Sequence, residues 1–195
     1  MKITLPTDFS EVTVSQYKRL WKVYEHEKEP YEAVRRAIET LCDLDHGALQ
    51  QAHWGSIEEA AEKIGWLMQE PDVLTLKMPL KQKVKLRGIK YGFVPDWSRL
   101  TVGEFADIET YTQQGLFDKL EKILSVLYRP ICKEKGDSYE IEKYEVSKRR
   151  QEAMLHLPMD VAIGAMVFFC NIERALATTS LPSSNKKKKK TKKKK

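Results

Sequence analysis

Cysteine is scarce in this chain of 195 residues: Cys42, Cys132 and Cys170 are an odd number at wide spacing, with no Cys-x-x-Cys pair. That argues against a disulfide framework or a zinc site and fits a reducing compartment. Histidine is equally thin, and His26, His46, His53 and His156 form no His-Glu-x-x-His pair, so no metal is expected. Long apolar runs are missing too. The longest, Val161 to Cys170, is flanked by Asp160 on one side and by Glu173 and Arg174 on the other. A membrane span needs roughly twenty apolar residues, so this run reads as a buried core helix. The opening Met1-Lys2-Ile3-Thr4-Leu5-Pro6-Thr7-Asp8 carries an early acid and no apolar centre, which predicts no secretory signal. Gly88, Gly92 and Gly103 fall in neither a Gly-x-Gly-x-x-Gly nor a Gly-Lys-Ser/Thr pattern, so no nucleotide site and no cofactor are expected.

Charge of one sign is concentrated at the other end. Lys186, Lys187, Lys188, Lys189, Lys190, Lys192, Lys193, Lys194 and Lys195 surround a single threonine. Nine lysines bury no apolar surface and repel one another, so residues 181–195 read as a disordered basic tail outside the fold. Removing those nine charges from the formal net charge of +6 leaves −3 on residues 1–185. The body is therefore mildly acidic, and the basic balance belongs to the tail.

With 42% hydrophobic residues the rest has enough material for one core, and residues 1–180 read as a single helical domain. Thr13-Val14-Ser15-Gln16 has capping-box spacing, and Val14, Tyr17, Leu20, Trp21 and Tyr24 follow at helical intervals, predicting a helix over 14–28. Pro30 suits the first turn of a second helix with a Val34, Ala37, Ile38, Leu41 stripe, ending near Asp43 to Gly47. Ser56-Ile57-Glu58-Glu59 predicts a third helix start, with Ala60, Ile64, Leu67 and Met68 inward and Pro71 as its stop. From Val73 the period changes to two, through Leu74, Leu76 and Met78, then Val84 and Leu86, then Tyr91 and Phe93. This predicts a β insertion near 73–94 with a hairpin turning at Arg87-Gly88.

Thr101-Val102-Gly103-Glu104 opens another helix, and Leu116 to Leu127 continue into one that Pro130 terminates. Lys133 to Lys143 is polar, contains Gly136, and reads as an exposed loop. A helix over about 145–156 and a long one from Pro158 to about Ala177 complete the chain. The fold class is thus mainly α, an α+β arrangement with a small antiparallel sheet.

Catalytic patterns are weak. Glu104 and Asp107 share a helix face with Glu109 nearby, but with no base, nucleophile or metal to work with they read as capping and solvated carboxylates. Cys132 has no histidine near it in sequence and reads as an inert or partly exposed thiol. The aromatic residues are more informative. Phe168 and Phe169 lie about 100° apart on one helix, so both are buried only if that helix is broadly contacted. Core packing is the expectation for them and for Trp21, Trp54, Trp66 and Trp97.

Three stretches together carry a resemblance. They are Ile3-Thr4-Leu5-Pro6-Thr7 with Thr13-Val14-Ser15-Gln16-Tyr17; Leu100 to Asp107 with Val126-Leu127-Tyr128-Arg129-Pro130; and Leu157 to Ala165 with Phe168-Phe169. They resemble small helical morphogenesis proteins of tailed bacteriophages, most closely tail assembly chaperones. The resemblance implies a non-enzymatic protein of the host cytoplasm that binds the tape measure protein and recruits tail tube subunits while the virion tail is built. It also implies absence from the finished particle. Phe168, Phe169, Tyr128, Arg129, Glu104 and Asp107 are the partner-binding residues expected on this basis, and self-association is a further expectation.

Many such chaperones are made in two lengths by a programmed ribosomal frameshift. The lysine run, whose codons are AAA or AAG, then reads as the trace of a slippery messenger. Two other readings stay open: a functional basic tail with weak, nonspecific affinity for nucleic acid or an acidic partner, and a charge-rich end of no specific role. Beside the chaperone stand two alternatives, a connector or tail completion protein of the virion and a nucleic-acid-binding protein acting through the tail.

Overall fold

A computed structural model describes residues 4–69, 76–96, 98 and 100–179, the side chains of 173–179 excepted. Val73, Leu74, Pro71, Trp97 and the lysine run lie outside the described residues. The capping box at Thr13 forms as expected. Gln16 N–H donates to Thr13 Oγ1 at 3.2 Å and Thr13 N–H to Gln16 Oε1 at 3.0 Å, so two otherwise orphaned amides are satisfied at the start of α1, Val14–His26. One stripe of α1, Val14, Tyr17, Leu20 and Val23, is buried. Pro30 occupies the first turn of α2, Pro30–Leu41, which packs against α1 and buries Ala33, Ala37, Ile38 and Leu41.

The third helix differs from expectation at its start. α3 spans Trp54–Ile64 with His53 at the N-cap and runs into a 3-10 turn at Gly65–Met68. The amides of Ser56 and Ile57 are already paired to the His53 carbonyl at 3.0 and 3.3 Å. Ser56 therefore sits inside the first turn and caps nothing. Trp54 is 50% exposed, so it is not a core residue.

The sheet is larger than the insertion the alternation suggested. β1, Lys83–Leu86, and β2, Ile89–Phe93, form the expected hairpin, with Arg87 at φ 47° and Gly88 at φ 84°. Two consecutive positive φ values match a type I′ turn, whose twist suits antiparallel strands. Leu76 and Met78 lie in irregular backbone ahead of it instead of in a strand. After β2 the chain makes α4, Val102–Gln113, and α5, Leu120–Leu127. It then returns as β3, Tyr128–Lys135, and β4, Ser138–Ile141. The strands lie in the order β1-β2-β3-β4, all antiparallel. α5 passes directly into β3, so Pro130 does not stop the helix but pairs across from Tyr91 inside the sheet.

The expected exposed loop at 133–143 is this second hairpin. Its polar residues are held by cross-strand pairs such as Lys133 with Glu140, 3.0 Å apart, and the turn is made by Gly136 at φ 58°. β3 serves two neighbours in turn. Its first three residues pair with β2 and the remainder with β4, with a bulge between Ile131 and Lys133.

α6, Lys148–Met154, is shorter than the span expected, and Ser147 Oγ accepts from Arg150 N–H at its start. α7 spans Met159–Thr179 and brings Val161, Ala162, Ile163, Ala165, Met166 and Phe169 into the core. Phe169 is 1% exposed, whereas Phe168 is only half-buried and packs edge-on to Phe93 at 5.4 Å. Phe169 thus lies within the core as expected, while Phe168 packs against it and stays partly buried. Gly164 meets the segment before β1 so closely that a β-carbon there would stand 2.6 Å from the Pro79 carbonyl oxygen.

Candidate partner-binding cleft

Strand alternation at the start of β3 sends consecutive side chains to opposite faces. Tyr128 turns into the core, where its ring meets Phe93 edge-on at 5.2 Å and its hydroxyl donates to the Lys81 carbonyl at 2.6 Å. Burial pushes its pKa well above the ordinary tyrosine value. Arg129 points the other way, opposite Gly92, and its Nη2 lies 2.7 Å from Glu104 Oε1. Glu104 Oε2 meanwhile accepts the Thr101 amide at 2.6 Å. One carboxylate therefore closes the capping box of α4 and neutralises a guanidinium from the sheet.

Desolvation is the larger influence on Arg129 and lowers its pKa, with the Glu104 charge opposing it. Arg129 Nε is buried and has no hydrogen-bond partner among the described residues.

Three residues on from Glu104, Asp107 accepts the hydroxyl hydrogen of Tyr144. Burial first, and then this bond, raises the Tyr144 pKa. Between these groups opens a cleft of about 740 Å³. Its walls are Val94 to Asp96 after β2, Thr101 and Glu104 at the start of α4, Arg129, and the unbroken run Tyr139 to Tyr144. A second recess of about 430 Å³ shares Val94, Pro95, Asp96 and Tyr139 and is lined also by Phe93 and Phe168. The first turn of α4, which supplies Glu104 to the cleft, also leaves Val102 87% exposed and Phe105 39% exposed.

Of the residues singled out in sequence, Glu104 and Arg129 meet directly, and Asp107 joins them through Tyr144. Phe168 reaches the neighbouring recess. Tyr128 and Phe169 are buried under the sheet and in the core, where no partner reaches them without rearrangement. Tyr139, Glu140, Ile141 and Glu142 escaped notice because they lay in the supposed loop, although Tyr139 and Ile141 do alternate with polar neighbours. Among the described residues there is no group of three His, Cys, Asp or Glu able to hold a metal ion, and no helix long and apolar enough to cross a membrane. Compared with protein families, with curated proteins and with solved structures, the chain matches none.

Proposed function

We propose that this chain is a tail assembly chaperone of a tailed bacteriophage, a non-enzymatic protein that binds the tape measure protein and helps recruit tail tube subunits in the host cytoplasm. The observation that carries the reading is that the stretches bearing the resemblance are neighbours in space. Leu100 to Asp107 and Val126 to Pro130 are joined by the Glu104–Arg129 pair. Thr13 to Tyr17 and Leu157 to Ala165 are joined by an isolated bridge between Thr13 and Pro158, and Val14 N–H donates to the Leu157 carbonyl at 2.9 Å. Residues far apart in sequence are thus brought together; Thr101, Glu104 and Arg129 of the first pair line the cleft, and Val102 and Phe105 in the same turn of α4 are exposed. Such a surface masks an apolar segment of a partner until that segment is taken up by assembly, and it needs no nucleotide to do so.

The test is co-expression with the long, helix-rich protein encoded downstream, followed by purification at rising salt. Residues 1–185 retain that partner at moderate ionic strength, because an apolar and aromatic contact is little screened. Nucleic acid held by nine lysines falls away steeply over the same range. If the truncated body binds no tail protein while the intact chain holds DNA or RNA at physiological salt, the nucleic-acid reading replaces this one. A signal from this chain in purified particles would favour a structural virion protein.

A further inference from the structure

We infer that the pocket enclosed by β2, β3 and the start of α6 binds a carboxylate carried on a small apolar group. The pocket measures about 270 Å³ and shares only Glu142 with the cleft. Ile89 and Tyr91 stand two apart on β2 and therefore face the same way, and Pro130 of β3 lies directly across from Tyr91. Glu142 is brought in by its amide, which donates to the Pro130 carbonyl at 2.9 Å. Ser147, Arg149 and Arg150 close the other side.

The deciding group is the Tyr91 hydroxyl. Tyr91 is only 4% exposed and lines the pocket, and its hydroxyl makes no hydrogen bond among the described residues. The unpaired hydroxyl of Tyr24 is sealed from solvent, whereas that of Tyr91 is not. A buried polar group without a partner is costly, and the pocket is where one reaches it. Burial raises the Tyr91 pKa, with Arg149 and Arg150 opposing, so near neutral pH the hydroxyl keeps a hydrogen to donate. What it lacks is an acceptor.

The charges around it select that acceptor. Arg150 is largely engaged: its Nη1 donates to the Glu145 carbonyl at 3.0 Å, and its Nη2 lies 3.3 Å from Glu142 Oε2. Arg149 is exposed and has no carboxylate partner among the described residues, so its forked donors are open to one. Ser147 Oγ accepts from the Arg150 amide and still has its own hydrogen to give. Two guanidinium charges against the single carboxylate of Glu142 leave one positive charge in excess, which a monoanion matches. Glu142 repels a doubly charged phosphate more than a carboxylate. Ile89, 37% exposed, and Pro130 supply an apolar wall, and the volume exceeds what a carboxylate fills by itself.

The experiment titrates the full chain with isocaproate, a carboxylate on a branched apolar body, and follows it by nuclear magnetic resonance. The acid should bind at least about tenfold more tightly than its amide, with shifts centred on the Tyr91 ring and Arg149 Nε–H. Arg149→Gln, at an exposed position that leaves the fold intact, should weaken binding about tenfold. Tyr91→Phe should weaken it about threefold and leave the melting temperature unchanged or raised, since the hydroxyl it removes bonds nothing in the free protein. An acetylated Gly-Ser-Ala-Leu peptide with a free carboxyl end identifies the source. Tighter binding than isocaproate points to the end of a protein chain, and equal or weaker binding to a free organic acid; the carboxylate site stands in both cases.

Equal affinity for the acid and its amide, or inorganic phosphate binding as tightly as the acid, overturns the proposal. So does a Tyr91→Phe variant that binds undiminished. A Tyr91→Phe variant that melts several degrees lower overturns it as well, because the hydroxyl is then already engaged within the fold. None of these outcomes touches the co-purification with the tape measure protein, so the chaperone reading stands or falls separately.

Discussion

Arg129 and Glu104 lie 2.7 Å apart with side chains 8% and 4% exposed, tying the sheet to the first turn of α4. Taking two charges out of water is costly, and their attraction offsets that cost only while both are present. Glu104→Gln keeps an acceptor for the Thr101 amide but leaves the guanidinium uncompensated. It should destabilise the fold by about 3–5 kcal/mol. Combining it with Arg129→Met should recover most of the loss. Urea denaturation of the two single variants and the double variant checks the cycle, and a double variant no better than Glu104→Gln alone would show that the pair is not the governing interaction.

Two glycines allow close approach, with different expected tolerance. A β-carbon at Gly92 would run into the ring of Tyr139, a side chain that can shift only by giving up its hydroxyl's bond to the Phe93 carbonyl, whereas one at Gly164 would meet the backbone oxygen of Pro79. Gly164→Ala should therefore cost about 1–3 kcal/mol through overpacking, and Gly92→Ala less. Thermal melts of both variants decide it; the reverse ranking would place the rigid contact at Tyr139.

Phe169 and Phe168 should separate in the same assay. Phe169→Ala empties a core site and should cost about 3–5 kcal/mol. Phe168→Ala removes a half-buried ring from the wall of the smaller recess and should cost clearly less. Equal losses would mean that the Phe168 contact with Phe93 contributes as much as full burial.

The acid limb of stability involves Glu134. Hydrogen bonds from Lys90 and then Lys83 hold its carboxyl below the ordinary value of 4.5. A depressed folded-state pKa contributes stability that is present above the unfolded value and is lost as pH falls through the folded one. Glu134→Gln should therefore flatten the decline in melting temperature below about pH 4.5 and leave its slope near neutrality unchanged. The difference should shrink in high salt, since these groups face solvent.

How much of this was legible in the sequence depends on how local each cause is. Thr13 with Gln16, and Thr101 with Glu104, are three residues apart and satisfy each other, so α1 and α4 could be read directly. Ser56 and Glu59 have the same spacing, yet the helix had already begun at Trp54, and spacing alone does not reveal a turn of backbone upstream. The β3–β4 hairpin was missed because its outer half, Lys133 to Lys135, is exposed and charged; its order comes from Glu140, Lys83 and Lys90 across the sheet. The cleft was half legible. Glu104 and Arg129 were singled out, but their pairing spans two helices and a strand reversal that no periodicity reports.

The contacts between the two ends of the described chain bear on when this protein reaches its native state. Val14 and Ser15 donate their amides to the carbonyls of Leu157 and Leu155, and Met159 donates back to Val12. The first helix therefore lacks part of its anchorage until the ribosome has delivered the segment that leads into α7. The segment before β1 likewise waits for Gly164 to give it a seat. Contacts of such long sequence separation slow folding, because the intervening chain must first be closed into a loop. Native docking of α1 therefore waits for the synthesis of residues 155–159, and a nascent chain that stops short of them carries α1 without these contacts.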